Sequence, residues 1–232
     1  MPALIAAFAA DRPDEVAIVD ARGSTTWREV DDRVARLRDA LLGLGLRTGS
    51  TVLLMTGNER AAIEVILACM HTGLLVVPVN AHWVADEVAY VLEDTGAEAV
   101  IASDARLDVA RKAMAAAGSS PVLVVVSDQD HPGAERYDDL IARSDPATEE
   151  ERFGGPMFYT SGTTGRPKGV RSRLNAIGGP ATDWKVIAEG IGQGIGISGP
   201  GSTLLLTGPI YHSVQWVYSF GTLLNGSTVV VQ

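Results

Sequence analysis

The chain has 232 residues, of which 46% are hydrophobic and 20% are charged, a composition that excludes general disorder and suits a globular protein with a buried core. Its formal net charge of -9 argues against a nucleic-acid partner, because nucleic acids are bound by clustered Lys and Arg side chains. The single cysteine, Cys69, excludes an internal disulfide. The sequence has no basic leader segment and no apolar stretch of roughly 20 residues, so it predicts a cytoplasmic protein with no transmembrane segment.

Strands alternate with helices through the first part of the chain. Apolar residues at steps of three and four predict a helix from Trp27 to Leu44. The continuous apolar run from Thr51 to Met55 is typical of a strand covered on both faces, and Asn58 is interpreted as the N-cap of the next helix. The alternation continues with strand 75–79, helix 85–95, strand 99–102, helix 107–117 and strand 122–126. This pattern predicts an α/β fold with mostly parallel sheets and flanking helices.

A polar connector divides the chain. Residues 127–155 are rich in Asp, Glu, Pro and Gly, and Glu149 to Glu151 are interpreted as solvated. The predicted divisions are a first α/β subdomain, 1–150, and the start of a second α/β section, 151–232. The second section has predicted strands at 157–161, 168–172, 203–207 and 227–231, and predicted helices at 183–191 and 211–224.

The end of the sequence predicts an incomplete domain. The chain stops at Gln232, directly after an apolar strand, whereas a parallel sheet normally continues with another crossover. We therefore expect Val229 to Val231 to form an uncovered strand edge that favours a homodimer. The glycine-rich residues 190–201 are interpreted as a flexible loop.

The segment YTSGTTGRPKGV, residues 159–170, carries the chemistry. Its glycines permit close backbone approach, so that N–H groups and side-chain hydroxyls can converge on a polyphosphate, with Lys168 supplying positive charge. Composition alone also allows a Gly/Thr surface turn. The candidate phosphate-binding residues are Thr160, Ser161, Gly162, Thr163, Thr164, Gly165 and Lys168.

Two other phosphate-binding motifs do not fit. The motif G-x-x-x-x-G-K-S/T, counted from Gly162, places Pro167 where the second glycine belongs. Gly194, Gly196 and Gly199 satisfy G-x-G-x-x-G, but Pro200 follows where a helix should begin. The spacing therefore excludes a P-loop and argues against a dinucleotide site.

The segment YTSGTTGRPKGV resembles the nucleotide-phosphate loop of the adenylate-forming superfamily, which comprises acyl-CoA synthetases, adenylation domains of peptide synthetases and beetle luciferases. Residues 26–80 and 82–101 are similar to the opening helices and strands of those enzymes. The resemblance implies the incomplete N-terminal domain of such an enzyme, most like the fatty acyl-CoA synthetases. It also implies that Thr160 to Gly165 and Lys168 bind the ATP phosphates, with Mg²⁺ bridging them through unassigned ligands.

Two downstream residues complete the site that the resemblance implies. The segment GPIYH, Gly208 to His212, is similar to a family motif beside the acyl carboxylate, so His212 is expected to contact the substrate and, with Lys168, to act in catalysis. Trp216 lies one helical turn further on. It is either the residue that gates an acyl tunnel in long-chain enzymes or part of the helix core.

The implied reaction has two steps. A carboxylic acid, with a fatty acid as first candidate, attacks the α-phosphate of ATP, and coenzyme A then displaces AMP from the acyl-adenylate. The alternatives are an adenylation enzyme for an aryl or amino acid, or a non-catalytic nucleotide-binding paralogue of half length. Because the later family motifs have no counterpart before Gln232, we expect this chain alone to be inactive.

Overall fold

The computed structural model describes residues 4–146, 150–160, 166–171, 176–197 and 199–232. Within these ranges the chain forms eight α-helices and eleven strands in two sheets. The strands are β1 (Val16–Asp20), β2 (Gly23–Thr26), β3 (Thr51–Met55), β4 (Leu75–Pro78), β5 (Ala99–Ser103), β6 (Val122–Val126), β7 (Glu135–Arg136), β8 (Gly155–Thr160), β9 (Lys168–Arg171), β10 (Thr203–Leu206) and β11 (Thr228–Val231). The helices are α1 (Ala6–Asp11), α2 (Trp27–Gly43), α3 (Arg60–Thr72), α4 (Ala85–Thr95), α5 (Leu107–Ala116), α6 (Tyr137–Ala142), α7 (Asp183–Ile195) and α8 (Ser213–Leu224).

The predicted α/β architecture with mostly parallel sheets is confirmed. The larger sheet has seven strands in the order β7-β6-β5-β3-β4-β8-β9, and only the β8–β9 pair is antiparallel. The smaller sheet has the order β10-β11-β1-β2, with β1 and β2 antiparallel. Both sheets combine strands from before and after residue 150, so the proposed division at that residue does not separate them. No helix in the described ranges is long and apolar enough to span a membrane.

Helix α3 lies at the centre of the fold. Every residue of α3 after Arg60 is buried, and the helix contacts strands of both sheets. It contains one fully buried carboxylate, that of Glu64, which accepts hydrogen bonds from Arg33 Nε at 2.7 Å and from the Tyr137 hydroxyl at 2.8 Å. Arg60 Nε lies 3.3 Å from the same carboxylate. These partners offset the large desolvation cost of a buried charge.

A glycine allows the chain to return beneath the end of α3. Gly154 N donates to Met70 O at 2.9 Å, and Trp184 Nε1 donates to Gly154 O at 2.8 Å. A Cβ atom at Gly154 would lie 2.0 Å from the carbonyl oxygen of Cys69, which is far inside van der Waals contact. Only glycine fits here without moving α3, and β8 begins at the next residue.

The polar segment 127–155 contains regular structure, and the interpretation of its acidic run as solvated is wrong for Glu151, whereas Glu149 lies outside the described residues. The segment contains β7 and α6, and α6 buries Tyr137. Glu151 is also largely buried, because its carboxylate lies 2.9 Å from His71 Nδ1 and 3.4 Å from Arg38 Nη1, both on buried side chains. A run of acidic residues predicts solvent exposure only when no buried cation faces it.

The predicted flexible loop at 190–201 is wrong for its first half. Helix α7 continues to Ile195 and ends at Gly196, which adopts the left-handed conformation with φ of 70°. Gly192 lies within this helix and is buried beside Asn225, whose Nδ2 donates to Ala188 O at 3.0 Å. The glycines here serve close packing between α7 and α8 as well as helix termination.

The expected uncovered edge at Val229 to Val231 is also wrong. Strand β11 is an interior strand of the smaller sheet, paired in parallel with β10 on one side and with β1 on the other. Val229 and Val231 are buried. The partner strand β1 comes from the start of the chain, which sequence periodicity did not assign to a strand. The prediction of a homodimer therefore loses the basis on which it was made.

A buried carboxyl group on α2 makes stability depend on pH. The Asp31 side chain is 4% exposed, and its Oδ1 atom has no hydrogen-bond partner in the described part of the chain. Burial raises the pKa of Asp31 from 3.8 to about 6, and the charges of Asp32 and Glu151 act in the same direction. The native state therefore binds this proton more tightly than the unfolded chain does, and the resulting stabilisation is lost as pH rises from about 4 to about 6.

We expect Asp31→Asn to stabilise the protein at pH 7.5 by about 1–2 kcal/mol and to have a much smaller effect at pH 4, where the native carboxyl is already neutral. Urea denaturation at both pH values measures the difference. Asp128→Asn is the control, because that side chain is 87% exposed. Destabilisation at pH 7.5, or an equal gain at both pH values, contradicts the prediction.

Candidate active site

A cavity of about 370 Å³ opens at the carboxyl ends of the parallel strands β4 and β8. Its wall is completed by the start of α8 and by the segment that leads into α4. Ligands of open α/β sheets bind at this end of the strands, outside their carboxyl termini. The lining residues are Pro78, Asn80, Trp83, Glu87, Phe158, Tyr159, Thr160, Pro167, Tyr211, His212 and Ser213.

The structure brings together residues from both predicted parts of the site. Thr160, at the end of β8, and His212, just before α8, line the same cavity. Lys168 begins β9 and is the cross-strand partner of Thr160, and its side chain is exposed. Lys168 itself does not line the cavity. The remaining predicted phosphate-binding residues lie outside the described residues: Ser161, Gly162, Thr163, Thr164 and Gly165.

His212 lies at the amino-terminal end of a twelve-residue helix. Its carbonyl accepts from Trp216 N at 3.0 Å, whereas its ring is exposed and lies 4.6 Å from the ring of Tyr211. The unpaired N–H groups in the first turn of a helix carry a partial positive charge, which favours an anion such as a carboxylate. This end of α8 opens into the cavity through Ser213.

Asn58 holds the segment that leads to His212, a role that the sequence did not reveal. Its Nδ2 donates to Gly208 O at 3.0 Å, and its Oδ1 accepts from Ile210 N at 2.9 Å. The interpretation of Asn58 as a helix N-cap is wrong, because Glu59 occupies that position of α3. The two bonds join residues separated by about 150 positions in the sequence, so no local pattern could indicate them.

Trp216 lies behind the cavity rather than on its surface. Its side chain is 4% exposed and packs against Phe220 at 4.9 Å, Trp184 at 5.6 Å and Phe158 at 6.2 Å, measured between ring centroids. Phe158 does line the cavity. The Trp216 Nε1 atom has no hydrogen-bond partner among the described side chains. The geometry favours core packing for Trp216, and its role in an acyl tunnel stays a prediction.

The described residues contain no cluster of three or more His, Cys, Asp or Glu side chains that could hold a metal ion. The predicted Mg²⁺ has no assigned protein ligand.

Sequence comparison identifies the family. A family model described as AMP-binding enzyme matches residues 5–232. The chain is 29% identical over 235 residues to phosphinothricin tripeptide synthetase PhsB of Streptomyces viridochromogenes, an alignment that covers 100% of this chain and 18% of that protein. It is 25% identical over 241 residues to 3-oxocholest-4-en-26-oate–CoA ligase of Rhodococcus rhodochrous, covering 94% of this chain and 42% of the ligase.

Comparison of folds agrees with the sequence comparison. A benzoate CoA ligase from Burkholderia xenovorans LB400 superposes with a TM-score of 0.82 at 23% identity, covering 99% of this chain and 44% of that one. This likeness concerns the fold alone. The chain spans less than half the length of each of these three relatives.

We expect Asn58→Ala to release the segment before α8. The change removes two hydrogen bonds that together are worth about 1–3 kcal/mol. Nuclear magnetic resonance can detect the effect as increased motion of the His212 and Ser213 amides. Asn80→Ala is the matched control, because Asn80 lines the same cavity but accepts its hydrogen bond locally, from His82 N at 2.9 Å. Unchanged amide dynamics in Asn58→Ala would show that other contacts hold the segment.

We expect Trp216→Ala to lower the free energy of unfolding by about 3–5 kcal/mol, because it deletes a ring packed among three other aromatic side chains. Trp216→Phe should cost much less, because it keeps a ring and removes an N–H group that has no partner among the described side chains. Thermal unfolding measures both effects. A stable Trp216→Ala variant with altered selectivity among acids would instead support the tunnel role.

Proposed function

Because the chain belongs to the family of AMP-binding enzymes, we propose that it supplies the ATP phosphate loop and part of the acid pocket of an acid–thiol ligase. In this proposal the whole protein forms an acyl-adenylate from ATP and a carboxylic acid and then transfers the acyl group to coenzyme A. The observation that carries the proposal is the shared cavity of Thr160 and His212, at the carboxyl ends of two parallel strands. The proposed location of the protein is the cytoplasm, on the sequence evidence alone.

The task of these residues is to hold two anions close together. In this proposal the α8 amino terminus and His212 bind the carboxylate of the acid, whereas the cross-strand partners Thr160 and Lys168 bind phosphate oxygens. The attack needs the carboxylate in line with the α-phosphate, so positioning and charge neutralisation supply the rate acceleration. We assign the same phosphate-binding role to Ser161, Gly162, Thr163, Thr164 and Gly165. Mg²⁺, when bound, would neutralise the phosphate charge.

The proposed acid is a fatty acid, and the alternatives are an aryl acid and an amino acid. The resemblance of the segment around Trp216 to long-chain enzymes supports a fatty acid. An aryl acid is favoured by the cavity wall, where the rings of Trp83, Phe158 and Tyr211 could stack on an aromatic substrate. These candidates are separated by testing the whole protein encoded by the reading frame with a panel of alkyl, aryl and amino acids. Pyrophosphate release is measured for each acid.

We expect Lys168→Ala to slow the formation of acyl-adenylate by about ten- to a hundredfold, because a charge-assisted contact to phosphate is worth roughly 1.5–3 kcal/mol. ATP–pyrophosphate exchange, catalysed by the whole protein encoded by the reading frame, measures this rate. Lys185→Ala is the matched control, because Lys185 is also exposed but lies on α7, outside the β8–β9 hairpin. An exchange rate unchanged in Lys168→Ala would refute the assignment. The 232-residue chain alone should show no exchange.

A further inference from the structure

Pairing with β4 supports only the first two residues of β8. The parallel pairing between β4 and β8 joins Leu75 to Gly155 and Val76 to Pro156 and goes no further. The antiparallel pairing with β9 begins beyond that point and runs from Met157 to Thr160. Strand β9 is the last strand of the sheet, and its four residues are exposed. The outer part of the β8–β9 hairpin therefore projects from the sheet. Among the described strands, residues Met157 to Thr160 have a neighbour on one side only, which is β9.

Helix α4 contacts this projecting part of the hairpin twice, once before and once after the proposed phosphate loop in the sequence. Just before the loop, the Tyr159 hydroxyl donates a hydrogen bond to Asp94 Oδ2. Directly after the loop, the guanidinium of Arg166 lies 5.2 Å from the centre of the Tyr90 ring. Tyr90 and Asp94 are four residues apart in α4 and so share one face of the helix. We call Tyr159, Thr160 and Arg166 to Lys168 the loop stem.

The ring of Tyr159 is held in place between two neighbours. It lies beside Gly169, where an added Cβ atom would come within 3.1 Å of the ring, so a larger residue there would displace it. Trp83 also packs against it in an edge-to-face arrangement, with 6.3 Å between the ring centroids. Burial raises the pKa of Tyr159, and the hydrogen bond to Asp94 and the charge of that carboxylate act in the same direction. The hydroxyl therefore remains a donor over the physiological pH range.

We propose that Asp94 and Tyr90 are positioning residues, which fix the loop stem against α4 and so hold the two ends of the phosphate loop, Thr160 and Arg166, in place before ATP arrives. This inference rests on the proposed function of the loop. Without the two contacts, the hairpin would have to be ordered when the nucleotide binds, and that cost would lower the apparent affinity for ATP. The residue proposed to bind the acid, His212, lies outside the loop stem, so the affinity for the acid should change little.

The first experiment measures the order of the hairpin and needs no ligand. Hydrogen exchange of the backbone amides is compared in the unaltered chain, Asp94→Ala, Tyr159→Phe and the double variant. We expect amides in β8 and β9 to exchange about tenfold faster in each variant, with β3 and β5 unchanged. The double variant should exchange no faster than the single ones, because both remove the same hydrogen bond. Glu98→Ala, which removes an exposed carboxylate just beyond α4, is the control.

The second experiment measures the KM values for ATP and for the acid, using the whole protein encoded by the reading frame. We expect Asp94→Ala and Tyr159→Phe to raise the KM for ATP in pyrophosphate exchange by about five- to tenfold, with the KM for the acid within about twofold. Tyr90→Leu keeps an apolar contact with Arg166 and removes the ring, so its effect on the KM for ATP should be about two- to threefold. Tyr159→Phe isolates the hydroxyl, because the ring remains beside Gly169.

The outcomes separate this inference from the proposed function. If the unaltered protein shows no ATP-dependent exchange with any acid while the hairpin amides respond as expected, the proposed function fails and the contacts with α4 stand as a structural anchor. If exchange activity is present but neither the amides nor the KM for ATP respond, the positioning inference is overturned. Faster hydrogen exchange throughout the chain, with a lower melting temperature, would overturn it as well, because the contacts would then only stabilise the fold.

Discussion

The carboxylate of Glu64 has no access to solvent, and it lies inside a helix that is buried on all sides between two sheets. Its partners Arg33 and Tyr137 come from α2 and α6, so neutralising this single charge fixes three helices relative to one another. Removing one partner would leave a buried charge uncompensated, which costs far more than the loss of a surface ion pair. The position of α3 in turn decides which strand ends face the cavity, because α3 packs on β4 and β8.

The candidate site depends on this arrangement from two sides. Asn58 lies just before α3 and holds the segment that leads to His212, so the start of the central helix and the start of α8 are joined directly. Gly154 lets the chain pass beneath the other end of α3 and enter β8, which carries Thr160. The two sides of the cavity are thus set by packing at the two ends of one helix. A rigid support of this kind is what positioning catalysis requires.

An acidic protein must bind anionic substrates through local features. The formal net charge of -9 repels a polyphosphate at long range, although salt screens most of this repulsion. The available attractions are the amino terminus of α8 and the Thr160 hydroxyl, which line the cavity, and the Lys168 ammonium on the neighbouring strand, which does not line it. The carboxylate of Asp94, which lies close by, is engaged by the hydroxyl of Tyr159. These attractions act over a few ångströms, so their effect depends on how firmly the loop stem and α8 are held.

The sequence by itself determined the helices and strands with strong periodicity, the parallel character of the sheets and the residues expected to bind phosphate, because these depend on local spacing and a short motif. Only the tertiary structure decided what depends on contacts between distant segments. In the tertiary structure β11 lies between β10 and β1, and Glu151 is buried beside Arg38. Asn58, which was expected to cap a helix, instead binds the segment before His212. A side chain's hydrogen-bonding groups are encoded in the sequence, but which distant partner satisfies them is settled only when the chain folds.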